Sequence, residues 1–142
     1  MTKTYTNRLL KTASNRLSQG LDVFAQQYDM TWMQMSVIDY LSRQDPDRET
    51  FQRDIEKEFF IQRSTATVLL QRMEKKDLIF RRSSTEDARQ KSVFLTDKSH
   101  QLETKINGFM KRNQEILEEN FSTQEIAVFE MILNFYIRGG EA

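Results

Sequence analysis

The sequence predicts a mainly α-helical fold that carries one small β-hairpin, and three observations support this prediction. Apolar residues recur every three or four positions along most of the chain, which is the period of an amphipathic helix. Two short stretches rich in β-favouring residues, "LIFRR" and "SVFL", lie on either side of a polar span of about nine residues. Helix-start patterns and the loop around Pro46 divide the helical part into separate elements.

The first two helices follow from periodicity and capping. A first helix of roughly 24 residues is predicted by one apolar stripe. The stripe consists of Leu10, Ala13, Leu17, Leu21, Phe24 and Tyr28. Thr31 to Gln34 has the form of a capping box, with Met30 and Met35 placed as a hydrophobic staple. A second helix therefore begins near Thr31 and ends before Pro46.

Two more helices precede the hairpin. Phe51, Ile55 and Phe59 outline a short third helix. The buried side of a fourth is predicted at Ala66, Leu69, Leu70 and Met73. Its opposite side carries short, polar and hydroxyl-bearing residues rather than the Glu/Lys mixture of a merely solvated helix: Ser64, Thr67, Val68, Gln71 and Lys75.

Two helices follow the hairpin. A long helix is predicted across residues 97–121, where the apolar spacing includes Leu102, Ile106, Phe109, Met110, Ile116 and Leu117. Ser122 to Glu125 forms a second capping box, and the last helix carries Ile126, Phe129, Ile132, Leu133 and Tyr136 before Gly139 and Gly140 end it.

This order of elements is the plan of a winged helix-turn-helix: three helices with a hairpin appended, at residues 31–95. We expect one domain over residues 1–142. The terminal helices, at 1–30 and 96–142, have more apolar surface than the small middle unit can cover. We therefore expect them to pack against a second copy in a two-fold dimer. The alternative is that they fold back on the same chain.

Composition limits the class of protein. The net charge is zero, but residues 62–95 carry 8 Lys/Arg against 4 Asp/Glu, whereas both flanks are net acidic. A polyanion at short range would meet this basic centre. There is no cysteine and a single histidine, and no glycine-rich phosphate loop, which argues against an enzyme and against a cofactor. The first residues lack the apolar core of a signal peptide and no apolar run could span a bilayer, so we expect a cytoplasmic protein.

Over nearly the whole chain, and most specifically over residues 63–102 with "RSTAT" and "DARQK", the sequence resembles the MarR family of dimeric winged-helix regulators. The recognition-helix pattern of that family is met by Ser64, Thr65, Thr67 and the run from Arg72 to Lys76. Its wing signature Asp-x-Arg-x-Lys is met by Asp87, Arg89 and Lys91, and Leu95-Thr96 opens the long helix. The sequence departs from the family at Val68, where many relatives carry a basic residue, and at Phe60 and Asp77, where glycine is usual.

The resemblance implies a sequence-specific regulator that binds double-stranded DNA as a homodimer on a pseudo-palindromic operator, most often as a repressor. A recognition helix would enter the major groove, where small polar side chains reach base edges. The implied contacts on this helix are Arg63, Ser64, Thr65, Thr67, Gln71 and Arg72. The alternative is that these residues form a polar helix face that contacts only solvent.

In the wing, the resemblance implies that Arg89 enters the minor groove. If the segment is extended, residues two apart point the same way, so Asp87 could pair with Arg89 or Lys91 and orient it. The alternative is an ordinary surface ion pair. Arg81 and Arg82 alternate in facing, so we expect one of them at most to contact phosphate, with Arg81 the candidate.

Relatives are commonly released from DNA by small molecules, metals or cysteine oxidation, and the last route is closed here. Possible ligand walls are Phe24, Tyr28, Trp32 and Met35, although apolar residues at this spacing are usually core. His100 with Asp97 and Glu103 has metal-like spacing but is more typical of a solvated helix, so no metal site is predicted. The rival function is a winged-helix adaptor that binds proteins and has little DNA affinity.

Overall fold

The predicted element order is confirmed. A computed structural model describes residues 4–140. The helices are α1 (Thr6–Gln26), α2 (Trp32–Ser42), α3 (Gln52–Phe59), α4 (Arg63–Lys75), α5 (Asp97–Asn120) and α6 (Thr123–Ile137). The hairpin consists of β1 (Ile79–Ser83) and β2 (Lys91–Leu95). By its internal contacts the chain divides into two compact units, one ending at Glu103 and the other beginning at Thr104 within α5.

The first unit contains the winged helix-turn-helix. Its core is made of apolar side chains from α2, α3, α4 and both strands, all nearly or completely buried: Met35, Val37, Ile38, Ile55, Ala66, Leu70, Met73, Leu78, Ile79 and Val93. The strands pair antiparallel, with Ile79 opposite Leu95 and Ser83 opposite Lys91. The amide of Val93 also donates to the carbonyl of Thr50 at 2.8 Å, which attaches the loop before α3 to the hairpin.

The predicted start of α2 is confirmed in detail. Thr31 Oγ1 accepts from the amide of Gln34 at 3.2 Å, and Gln34 Oε1 accepts from the amide of Thr31 at 3.1 Å. Met30 and Met35 are both buried, as expected of a hydrophobic staple. The capping box thus satisfies two amides that would otherwise lack intrahelical partners.

The second unit contains the end of α5 and all of α6. The Ser122 capping box is present, with Ser122 Oγ accepting from the amide of Glu125 at 3.1 Å and Glu125 Oε1 accepting from the amide of Ser122 at 2.9 Å. Gly139 and Gly140 follow α6 with φ of 78° and 79°, a conformation that glycine adopts without strain.

Three turns of the first unit hold a non-glycine residue in the left-handed region, the first being Asp29, between α1 and α2, with φ 57°. Phe60, between α3 and α4, has φ 51°, and Asp77, between α4 and β1, has φ 59°. Phe60 and Asp77 therefore also stand in the left-handed region, which glycine adopts without strain. Asp tolerates this region better than most residues, whereas Phe gains no local hydrogen bond from it.

Candidate nucleic-acid interface

The helix α4 presents most of its predicted contact residues to solvent. Arg63, Ser64, Thr65, Gln71 and Arg72 are exposed, and the opposite side of the helix is buried in the core. Such an arrangement fixes the orientation of the helix while leaving its polar face open to a partner.

Thr67 differs from its neighbours on this helix because its hydroxyl is already occupied. Thr67 Oγ1 donates to the carbonyl of Arg63 at 2.9 Å and accepts from Gln52 Nε2 at 2.9 Å. Its role as a base contact stays a prediction, but in this geometry the hydroxyl links α3 to α4.

A basic groove lies between α3, α4 and the wing. Its volume is ≈ 530 Å³. Among the residues that the structure describes, its charged lining comprises five cations and one carboxylate: Arg53, Arg63, Arg81, Arg89 and Lys91, with Glu56. The fold thus gathers cations from three separate parts of the sequence onto one surface, where their fields add.

The wing loop is a turn, so the expectation of an extended segment from Asp87 to Lys91 is wrong. The amide of Gln90 donates to the carbonyl of Asp87 at 3.0 Å. Asp87 nevertheless braces the arginine, because its Oδ1 accepts from both the amide of Arg89 at 3.0 Å and Arg89 Nε at 3.3 Å. This is the local geometry that aspartate favours in turns, and it requires no alternation of side chains.

The tip of the wing leaves Arg89 accessible. Its side chain is 91% exposed. Lys91 is exposed at the start of β2 and lines the same groove. Within the described chain, Asp87 forms its ion pair with Arg89 rather than with Lys91.

Arg81 and Arg82 face different partners, as their alternation predicts. Arg81 Nε donates to Glu74 Oε1 at 3.0 Å, and its Nη2 contacts the same oxygen. The guanidinium of Arg82 lies over the rings of Phe80 and Phe94, 4.9 and 5.6 Å from their centroids. Arg82 thus covers the aromatic pair of the hairpin, and Arg81, which lines the basic groove, is tied to α4 by Glu74.

Two residues that contact the wing were missed by the sequence reasoning. Arg53 Nη1 donates to Gln90 Oε1 at 3.0 Å. The Glu49 carboxylate accepts hydrogen bonds from Ser84, Ser92 and Thr85. These bonds lower the pKa of Glu49, and the bond from Ser84 is the largest cause. No local pattern could have revealed them, since each lies more than thirty residues from its partner.

A second groove touches some of the predicted ligand walls. It has a volume of ≈ 820 Å³ and lies among α1, the start of α2 and the exposed face of α4. Trp32 lines it, together with Met30, Met33 and Leu69. Phe24 and Tyr28 do not line it; their rings lie 5.4 Å apart. Met35 does not line it either, since it is fully buried next to the cap of α2, and its role as a ligand wall stays a prediction.

Neither a metal site nor a membrane-spanning helix is found among residues 4–140, the part of the chain that the structure describes. Within this range no three His, Asp or Glu side chains are grouped so that they could hold a metal ion, and His100 Nδ1 lies 2.8 Å from Glu103 Oε1. No described helix is both long enough and apolar enough to cross a membrane.

The fold and the sequence are similar to those of known regulators. A family model described as "MarR family" matches residues 28–90. The transcription regulator MarR from Oenococcus oeni is 47% identical, with 94% of this chain and 99% of that chain covered and a TM-score of 0.82. The MepR–DNA complex from Staphylococcus aureus has a TM-score of 0.87 at 24% identity, covering 96% of this chain and 99% of that one.

MepR from Staphylococcus aureus in its DNA-binding conformation gives a TM-score of 0.83 at 23% identity, covering 97% of this chain and all of that one. The two MepR structures support the fold. No curated protein gave a significant match. Because the O. oeni regulator is nearly half identical over almost its whole length, this chain belongs to the MarR family, whose members are transcription regulators and not enzymes.

Proposed function

We propose that this regulator binds double-stranded DNA in a sequence-specific manner, with α4 in the major groove and Arg89 in the minor groove. The observation that carries the proposal is the basic groove, because α4 and the wing both line it. The exposed Ser64, Thr65 and Gln71 are small polar side chains suited to base edges, and Arg63 suits guanine or phosphate. The relationship to MepR, which is known in complex with DNA, supports the same proposal.

The proposal includes a homodimer. Of the described residues of α6, Ile126 alone is buried, whereas seven large apolar side chains remain 36–65% exposed: Val128, Phe129, Met131, Ile132, Phe135, Tyr136 and Ile137. In α1, Leu9, Leu17 and Val23 are 57–65% exposed. On each helix by itself, this much exposed apolar surface is typical of an interface. A two-fold copy would cover it and present the recognition helices about 34 Å apart.

The dimer can be tested by introducing one charge into this surface. Phe129→Asp should shift the protein from dimer to monomer in sedimentation equilibrium and weaken DNA binding, since one half-site would be lost. Glu130→Gln, on the same helix and exposed, is the matched control and should remain dimeric. A dimer that persists unchanged in Phe129→Asp would exclude this surface as the interface.

We also infer repression, exerted in the cytoplasm by occupying an operator, and release by a small molecule. The groove beside Trp32 supports release, because it adjoins both α1 and the exposed face of α4, so that a bound molecule could displace the helix from DNA. A reporter placed behind the selected operator should be silent with the wild-type protein.

Selection of bound DNA from a random pool tests the central proposal. We expect an enriched pseudo-palindrome whose half-sites lie about one helical turn apart. A mobility-shift assay with excess non-cognate DNA then measures specificity. The absence of any shift, even at low salt, would favour the protein-binding adaptor instead.

A further inference from the structure

The carboxylate of Glu49 lies outside the wing in sequence but at its base in the fold. Glu49 Oε2 accepts from Ser84 Oγ at 2.6 Å, and Oε1 accepts from the amide of Thr85 at 3.1 Å and from Ser92 Oγ at 2.8 Å. Ser84 is 6% exposed and Ser92 is fully buried. One side chain from the loop before α3 therefore holds both sides of the hairpin where the strands open into the wing loop.

The chain of hydrogen bonds continues from Ser84 towards the tip of the wing. Ser84 Oγ accepts from the amides of Glu86 at 3.0 Å and Asp87 at 3.2 Å. A hydroxyl has one proton and two lone pairs, so donation of that proton to Glu49 leaves both lone pairs for the two amides. Glu49 thereby selects the hydroxyl orientation that the loop backbone needs.

The next link is Asp87, whose Oδ1 accepts from the amide and from Nε of Arg89. The arginine itself is almost fully exposed and is held through the backbone turn and this one carboxylate. Such an ion pair contributes little in water, so the orientation of Arg89 depends on how firmly the turn is held beneath it.

We propose that Glu49 is a positioning residue for Arg89, acting through Ser84 and Asp87 to hold the wing tip in its DNA-binding geometry. The proposal rests on the proposed DNA binding. In this proposal Glu49 acts by holding the wing tip in one conformation and not by its charge. An arginine that is oriented before binding loses less conformational entropy in the complex.

A role of Glu49 through its charge and a role in positioning Arg89 predict opposite effects of mutation on DNA affinity, which makes the proposal testable. Glu49 is an anion beside the surface that would meet a polyanion, so removal of its charge alone should strengthen DNA binding. Removal of a positioning residue should weaken it. Asp47, exposed in the same loop, is the matched control because its carboxylate takes no part in the Glu49–Ser84–Asp87 chain of bonds.

The first measurement needs no DNA. Amide hydrogen exchange of Glu86, Asp87 and Arg89 should become roughly tenfold faster in Glu49→Ala and in Ser84→Ala, and should be unchanged in Asp47→Asn. Exchange in the buried part of α4 reports whether the variants are folded. Unchanged exchange at the wing tip in folded Glu49→Ala would overturn the proposal.

The second measurement is a double-mutant cycle on the selected operator. Glu49→Gln should weaken binding by roughly three- to tenfold, the range that one lost hydrogen bond gives, whereas Asp47→Asn should leave it equal or stronger. In an Arg89→Ala background, Glu49→Gln should have no further weakening effect. Independent, additive losses would overturn the positioning role while leaving DNA binding intact. A wild-type protein that binds no DNA would overturn the proposed function itself.

Discussion

Arg89 folds back onto Asp87, placing its own amide 3.0 Å and its guanidinium Nε 3.3 Å from the same carboxylate oxygen. One aspartate thus shapes the turn and orients the side chain that extends from it. The side chain of Arg89 is nevertheless 91% exposed at the tip of the wing. This relationship makes Arg89 the most direct target for mutation.

Arg89→Ala should weaken operator binding and flatten its salt dependence. If Arg89 neutralises one phosphate charge per subunit, its loss should make the slope of log K against log salt less steep by about 0.9 per subunit. Fluorescence anisotropy with a labelled operator across about 50 to 200 mM salt measures both quantities. Arg89→Lys is the control, which should recover most of the slope but not all of the affinity, because lysine lacks the planar fork. An alanine variant with unchanged affinity and slope would remove Arg89 from the interface.

Val68→Lys should strengthen DNA binding. Val68 is 44% exposed on α4, so a lysine there needs no repacking of the core. One added phosphate contact should steepen the salt slope by about 0.9 per subunit, with a similar gain on cognate and non-cognate duplexes. Val68→Met, which adds length without charge, should leave the slope unchanged. A lysine variant that behaves like the methionine variant would place position 68 away from phosphate.

Phe60→Gly should stabilise the fold. Phe60 has φ 51° with its side chain 86% exposed, so the substitution relieves left-handed strain and gives up little buried surface. We expect a gain of about 1 kcal/mol in the free energy of unfolding, measured by urea denaturation. Phe60→Ala keeps the Cβ atom and should gain much less. If both variants unfold at the wild-type midpoint, the turn carries no strain worth relieving.

Acid should release the wing from Glu49. Hydrogen bonds from Ser84, then Ser92 and Thr85, lower the pKa of Glu49. A carboxyl whose pKa is lower in the folded state stabilises that state above its unfolded pKa, and the contribution is lost as pH falls through the folded pKa. In the wild-type protein, the protection of the wing-tip amides against exchange should therefore be constant near neutral pH, where Glu49 is ionised, and should be lost only below the ordinary carboxyl range. Glu49→Gln should abolish that acid step; its persistence in the variant would assign the step to another group.

The secondary structure of this protein was predictable because its signals are local. The capping boxes at Thr31 and Ser122 each depend on residues three positions apart, and the hairpin pairs two strands joined by one loop; all were predicted correctly. The extended form assigned to Asp87–Lys91 was wrong because the pleat was assumed to continue through a polar loop where Asp87 instead forms a turn. Helical spacing alone likewise does not tell a core residue from the wall of a groove, and only the structure shows that Met35 is buried.

The sequence by itself determined the winged-helix plan, the family, the basic centre of the chain and the pair Asp87 and Arg89 at the wing tip. The tertiary structure alone decided which cations share a groove, that Thr67 Oγ1 accepts a hydrogen bond from Gln52, and that Glu49 accepts one from Ser84, 35 residues away. Periodicity and capping act over one or two turns and leave a pattern in the sequence. A hydrogen bond between distant residues depends on how the whole core packs, and that packing leaves no pattern at either residue.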